Sequence, residues 1–337
     1  MKKLLVLIVI SVGIFLYQEQ LKVVAVNLID RVKIEISSQE NNYGKTGINK
    51  HNSGDNNKQE GGYSSITLGD SADSLLSKMG QPSKIEGSEY DFKWYVYNDD
   101  YDKFCMIGVQ DDEVVALFSN TMNSSESGDI KLGDTKSQIL EKYDTLDYRQ
   151  VGYTRYMISE DYYNLIKGNS TYLTVFYDSF EDDEIVGIQI VSAEVENKIS
   201  GIYTEDTSVI DDFENINRYM INSERVKHGL NTLSYSEEAT LCARSHSQDM
   251  RDNDYFAHEN LKNQTPFDRM DDYDIYYTSA AENIAAGQTS PIFAHYALMN
   301  SEGHRINILG KYKYIGVGVA FGGSMNMYLT QNFYKII

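Results

Sequence analysis

Cysteine is nearly missing from this chain. Only Cys105 and Cys242 occur in 337 residues, far apart in the sequence. That excludes a disulfide framework and any Cys-x-x-Cys zinc spacing. Cys242 falls on the apolar face of a predicted helix and reads as a buried, inert thiol. Positive charge is scarce too: 30 Lys and Arg against 50 Asp and Glu leave a formal charge of −20. Nothing basic is left to track a phosphate backbone, which excludes nucleic acid as a partner. The same charge argues against binding to anionic membrane surfaces. Hydrolase signatures are also missing. No Gly-x-Ser-x-Gly elbow accompanies any serine. His258-Glu259 does not continue to His-Glu-x-x-His, because position 262 is Lys262.

What is present begins with an export signal. Met-Lys-Lys is followed by an uncharged run from Leu4 to Tyr17. Residues 1–25 are predicted as a membrane anchor or signal segment, preferably an uncleaved single-pass anchor with the rest of the chain outside the cell. Cleavage after Val23-Val24-Ala25 and secretion is the alternative. Residues 26–63 are predicted as a linker, since Gln39 to Gly62 is rich in Asn, Gly, Ser and Lys with little to bury.

An internal repeat follows. Ile66-Thr-Leu-Gly-Asp-Ser-Ala-Asp-Ser-Leu-Leu returns as Ile130-Lys-Leu-Gly-Asp-Thr-Lys-Ser-Gln-Ile-Leu. Each copy reads as a short strand, a Gly turn and a capped helix. Strands are predicted after it at Trp94–Tyr97, Phe104–Val109 and Val114–Ser119, then at Tyr172–Tyr177 and Ile185–Val191. Asp111-Asp-Glu and Glu181-Asp-Asp-Glu read as hairpin turns. With a period of about 64 residues and two copies, residues 64–200 are expected to form one α+β domain rather than a solenoid.

From Ser208 the pattern is helical. Val209, Phe213, Ile216 and Met220 define one apolar face, and Gly229 ends the helix. Ser234-Tyr-Ser-Glu237 has capping-box spacing for a second helix, whose buried face would hold Ala239, Cys242, Ala243, His246 and Met250. Thr265-Pro266 and Ser290-Pro291 open two more helices. A glycine-punctuated hairpin closes the chain, from Tyr314 to Phe321 and back from Met325 to Tyr334. With a core of its own, residues 209–337 are expected to fold independently.

Three phrases in this half stand out: Tyr255-Phe-Ala-His258-Glu-Asn, Ala281-Glu282-Asn283-Ile284-Ala285 and Gly303-His304-Arg305-Ile-Asn307-Ile308-Leu309. Together with Ile221-Asn222-Ser-Glu-Arg225 and Ile315-Gly-Val-Gly318, they resemble the CAP superfamily. That family groups cysteine-rich secretory proteins, antigen 5 and plant pathogenesis-related 1 proteins; its bacterial branch is called SCP-like. The repeat region resembles the CAP-associated N-terminal domain. The resemblance implies an α+β chain whose C-terminal part is an α-β-α sandwich with a central antiparallel sheet.

The resemblance also implies a cleft. His258, Glu282 and His304 match its imidazoles and first carboxylate. Ser301 stands at the second Glu position, and Glu302 is a neighbouring candidate. His258, His304 and Glu282 could hold a divalent metal such as zinc, weakly, because they leave at least one position to water. Such binding is expected to weaken as pH falls through the usual histidine range, about 6.5. Glu282 could instead fix the tautomer of an imidazole. His246 reads as a satisfied core histidine, and His228 as a helix C-terminal cation. Tyr273, Tyr276 and Tyr277 read either as a groove or as half-buried packing.

The preferred functional reading is an exported module binding an unknown ligand or protein partner at the cell envelope, in a spore-related setting or elsewhere, touching the membrane only through its N-terminal segment. Enzyme status stays open, with the balance against it. A metal-dependent hydrolase or protease using the His/Glu cleft, and lipid or sterol binding, are the alternatives.

Overall fold

In a computed structural model of the chain, the described residues are 62–336. The predicted anchor, and nearly all of the predicted linker, lie outside them. Among the described residues no helix is long and apolar enough to cross a membrane.

The repeated phrase folds the same way twice. At Gly69 and Gly133 the backbone turns with φ of 87° and 88°, a conformation that favours glycine. The Gly69 and Gly133 amides donate to Val114 and Ile185 carbonyls, each at 2.9 Å. Helix α1 (Ala72–Met79) then starts on the Ser71 hydroxyl, and α2 (Lys136–Lys142) on Thr135 with a reciprocal Gln138 bond. The expected strands at Ile66 and Ile130 do not form. The turn comes too soon, and only the single bridges Ser71–Glu113 and Thr135–Glu184 remain.

The strands of the two copies merge into one sheet. The first copy supplies β1 (Lys84–Gly87), β2 (Lys93–Tyr97), β3 (Cys105–Gln110) and β4 (Glu113–Ser119). The second supplies a separate small hairpin, β5 (Tyr148–Val151) with β6 (Thr154–Met157), and then β7 (Tyr163–Lys167), β8 (Thr171–Asp178) and β9 (Glu184–Ser192). The order β1-β2-β3-β4-β9-β8-β7 sets the last strand of each copy side by side at the centre. Asp111, Asp112, Asp182 and Asp183 all take positive φ in the two hairpin turns, which short polar side chains tolerate. A short helix, α3 (Ala193–Glu196), leads out of the sheet.

The C-terminal part begins with α4 (Ile210–Lys227), followed by the two-residue strand β10 (Ser234–Tyr235) and α5 (Glu237–Asp252). The cap of α5 is Ser236, whose hydroxyl accepts from the Ala239 amide at 3.1 Å. Ser234, the expected cap, instead pairs in parallel with Tyr314. Next come α6 (Pro266–Asp272), β11 (Ser279–Ala286), α7 (Pro291–Met299), α8 (Glu302–Ile308), β12 (Tyr314–Phe321) and β13 (Met327–Lys335). The second sheet runs β10-β12-β13-β11, antiparallel except at β10. Helix α5 covers one face and helices α4, α7 and α8 the other, so the layers are α-β-α as the resemblance implied. The α5 layer lies very close. A Cβ on Gly316 or Gly318 would fall 2.1 Å or 1.9 Å from α5 backbone atoms.

Helix α4 has two buried faces rather than one. Phe213 and Ile221 pack with the second sheet, whereas Ile216, Tyr219 and Met220 pack with Trp94, Met106 and Phe118 of the first. Helix α7 is divided likewise, with Ala294 and Leu298 on one side and Ile292 and Tyr296 on the other. Polar contacts follow the same seam. Tyr219 donates to Glu86 at 2.8 Å, Ser223 to Asn120 at 2.8 Å, and Arg305 pairs with Asp178 at 2.5 Å.

Residues 209–337 therefore share their helix layer with the preceding domain. Uncovering Ile216, Tyr219, Met220, Ile292 and Tyr296 forfeits about 1.5–3 kcal/mol for each large apolar side chain. That sum rivals the total stability of a domain, about 5–15 kcal/mol. A fragment starting at Ser208 is expected to be insoluble or to show no cooperative melt by circular dichroism, while residues 62–337 melt cooperatively. A sharp melt of the short fragment would mean that the seam contributes little.

Candidate functional site

Strand β11 is an edge strand of the second sheet, and the site is built along it. Glu282 sits on the same face as Ile284, toward α5, and is 7% exposed. His258 arrives on the α5–α6 loop. Asn260 fixes that loop: its side-chain oxygen accepts from the Lys262 and Gln264 amides at 3.0 and 2.9 Å. From the other side, Asn283 donates to the His304 carbonyl at 3.1 Å and accepts from Asn307 at 2.8 Å, anchoring α8 to the strand. Asn283 also meets Gln331, which donates to Asn217 of α4 at 2.7 Å, so the anchor continues as a buried polar network.

The organising residue is Arg269, which sequence reasoning missed. Its Nη2 donates to both oxygens of Glu282, at 2.9 and 2.7 Å. Its Nη1 donates to the His258 and Gln264 carbonyls at 2.8 and 3.0 Å. One guanidinium thus clamps the loop to the strand, Nη2 spanning the carboxylate while Nη1 holds the two carbonyls. The signal was the Thr265 cap: by fixing the start of α6 at Pro266, it sets Arg269 and Met270 together on the inward face.

His258 Nδ1 lies 3.0 Å from Glu282 Oε1. An ionised carboxylate only accepts, so His258 carries its proton on Nδ1 and turns Nε2 outward. The side chain is 48% exposed, against 1% for Glu282. His304 Nδ1 bonds the Ser301 hydroxyl at 2.8 Å. Ser301 caps α8 with its backbone alone, which leaves that hydroxyl to the imidazole. No carboxylate pairs with His304 among the described residues, so the Ser301–His304 contact lacks the third member of a nucleophile triad.

Burial, reinforced by His258, pushes His304 down to about 4. Burial also pushes His246 down to about 4, with Arg269 adding to it and Glu282 opposing it. His246 Nε2 bonds the Ala257 carbonyl at 3.0 Å and comes within 3.9 Å of Glu282. Both imidazoles are neutral at pH 7. The unfolded chain takes up these protons near 6.5, so each disfavours the folded state progressively as pH falls from about 6.5 to about 4. Histidine NMR titrations are expected to give midpoints near 4 for both; midpoints near 6.5 would contradict the burial.

The structure joins these residues as two pairs, His258 with Glu282 at 3.0 Å and His304 with Ser301 at 2.8 Å, near enough for His258 to act on the His304 imidazole. Glu302 stands apart, exposed in the first turn of α8 with no hydrogen bond or ion pair to the other four. His228 lies at the end of α4, facing Glu181 and Glu224 at 3.2 and 3.3 Å, contacts that raise its pKa despite partial burial. Tyr273 and Tyr277 pack over Ala239 and Cys242, and Tyr276 is exposed. The Cys242 thiol is pushed up to about 12 by burial.

As a donor set, His258, Glu282 and His304 fall short of a closed metal site. Both Glu282 oxygens already face a fixed positive charge, leaving two imidazoles where a closed tetrahedral zinc site takes four ligands. Among the described residues, no group of three or more His, Cys, Asp or Glu is placed to hold a metal.

Comparison with known proteins agrees with this architecture. The sequence model of the cysteine-rich secretory protein family matches residues 218–333, directly after a CAP-associated N-terminal match over residues 68–201. The chain carries a CAP domain behind a CAP-associated N-terminal domain. It is 29% identical over 300 residues to the uncharacterized membrane protein YlbC of Bacillus subtilis (strain 168), covering 80% of this chain and 82% of that one. The CAP domain is 46% identical over 107 residues to the uncharacterized protein YkwD of the same organism, spanning 32% of this chain and 42% of the relative. A solved extracellular protein containing a SCP domain, from Bacillus anthracis str. Ames, superposes with a TM-score of 0.68 at 26% identity, covering 86% of this chain and all of that one.

Proposed function

We propose that this CAP-domain protein is a membrane-tethered module on the outside of the cell that binds an envelope ligand or partner in the His258–Glu282–His304 cleft and leaves it chemically unchanged. The observation that carries the reading is the Arg269 clamp. Glu282 is the group a hydrolase would use as base, and both its oxygens are held by Arg269 Nη2 while an imidazole meets one of them. What the cleft offers a ligand is a fixed, outward imidazole nitrogen on His258 beside the neutral His304. Two relatives, one named a membrane protein and the other an extracellular protein, support the location.

The test compares the full chain with a His258→Ala/His304→Ala variant. Sedimentation with purified cell-envelope fragments is expected to weaken about tenfold in the variant. Casein and fluorogenic ester substrates, with and without zinc, are expected to show no turnover that the variant lacks. Zinc-dependent hydrolysis lost with the two histidines would establish the hydrolase reading instead.

A further inference from the structure

The seam between the first sheet and the CAP domain carries a titratable cluster at each end, and nothing in the cleft uses either. At one end Glu86 of β1, 4% exposed, accepts from Tyr219 of α4 at 2.8 Å. The amide of the next residue, Gly87, donates to the Asp212 carboxylate of α4 at 2.8 Å. Two carboxyl groups therefore meet where α4 crosses β1. Across the sheet Glu86 faces only the uncharged Trp94 of β2. Arg218 is turned instead to the Tyr219 ring at 5.3 Å and to Asn215 at 2.7 Å. Burial, and then Asp212, push the Glu86 carboxyl up to about 7, against the bonds from Tyr219 and Asn215.

At the other end His228 closes α4. Its Nδ1 lies 2.9 Å from the Glu224 carbonyl and 3.3 Å from Glu224 Oε1, so Nδ1 carries a proton. Its Nε2 faces two partners that suit opposite states. Glu181 Oε1 of the β8–β9 turn, 3.2 Å away, accepts, whereas Arg305 Nη2 of α8, 3.3 Å away, donates. A protonated His228 ties α4 to Glu181, and a neutral one can only accept from Arg305. The surroundings favour the proton. Asp178, Glu181 and Glu224 are three carboxylates against two fixed cations, Lys227 and Arg305. His295 of α7, 3.8 Å from Glu224, is kept neutral by burial. Glu181 above all, and Glu224 with it, lift His228 above its ordinary range despite partial burial.

We propose that this seam is a proton-operated latch: protons on Glu86 and His228 hold the first domain against the CAP domain, and their loss lets the seam open. Both groups bind their proton more tightly when the seam is closed. Their contribution is complete below the ordinary values of 4.5 and 6.5. It is lost as pH rises, through about 7 for Glu86 and above 6.5 for His228. His246 and His304 act with the opposite sign and below that window. The latch does not depend on what the cleft binds.

Two amides report the latch directly, because each bonds across the seam: Gly87 to Asp212, and Ser179 to the Asn300 side chain at 2.8 Å. Residue-resolved hydrogen exchange of the full chain in detergent, corrected for the intrinsic pH dependence of exchange, measures their protection. Between about pH 6 and about pH 8.5 the Glu86 shift alone is expected to cost about tenfold in protection. His228 adds a further loss, while β12 and β13 amides hold. Glu86→Gln copies the protonated acid, so it should remove the tenfold part and leave the melting temperature at alkaline pH unchanged or higher. Glu86→Gln/His228→Gln should remove the pH dependence altogether. An imidazole NMR titration needs no variant and should place the His228 midpoint above 6.5. Protection of both amides that ignores pH, a loss shared equally by β12 and β13, pH dependence that survives the double variant, or a His228 midpoint below 6.5 would each overturn the latch.

Discussion

Replacing Arg269 with methionine is expected to destabilise the protein by about 3–5 kcal/mol, the range for removing one partner of a buried pair. Arg269 and Glu282 side chains are 7% and 1% exposed, so the stranded carboxylate has little water to turn to. The loss is compounded because the same guanidinium ties the His258 and Gln264 carbonyls. His258 should then lose its fixed orientation even where the fold survives. Urea denaturation measures the first effect and imidazole NMR the second. The double variant Arg269→Met/Glu282→Leu should recover much of the stability, since removing both charges avoids the unpaired one. It should not restore the orientation of His258, whose Nδ1 partner is gone. If the single variant lost less than about 1 kcal/mol, water would be reaching Glu282 and the clamp would be a surface pair.

Gly318→Ala is expected to be of similar severity for a steric reason. The added methyl would sit 1.9 Å from the Arg244 amide nitrogen and 2.3 Å from the Ala243 carbonyl carbon. These are backbone atoms of α5, so no side chain can rotate aside. The helix must lift off the sheet, and the loss should reach about 3 kcal/mol or more, at the upper end for overpacking. Poor expression or a markedly lowered melting temperature would register it. Gly303→Ala provides the contrast. Gly303 lies inside α8 with nothing within 4 Å of an added Cβ, so the change should be neutral or stabilise by about 0.5–1 kcal/mol. Equal damage from both would show that the α5–sheet spacing is not the constraint.

Much of the site could be read from the sequence because its phrases are local. His258, Glu282 and His304 each sit in a short segment whose neighbours serve the same site: Asn260 shapes the loop, and Asn283 and Asn307 bind α8 to β11. Arg269 was harder to read, since a charged residue on a seven-residue helix resembles a solvated one until its partner is known. Strand β11 was missed because its Ala-rich, Glu-Asn centre has few of the β-branched residues that mark strands. The second face of α4 escaped for another reason. Tyr219 and Ser223 look like a wet face in isolation, and Glu86 and Asn120, more than a hundred positions earlier, bury them.

The doubly covered α4 also limits how this chain can change over generations. An ordinary surface helix keeps a solvent-facing stripe where substitutions are nearly neutral. From Phe213 to Arg225 this helix keeps almost none: Phe213, Glu214, Ile216, Asn217 and every residue from Tyr219 to Arg225 are buried. Most replacements there must satisfy two sheets at once, and a one-residue insertion would rotate about 100° of helix out of register with both. Variation should therefore accumulate on the open side of α5 and in the loops. A drifting lineage would keep α4 nearly fixed while the surfaces around it diverged.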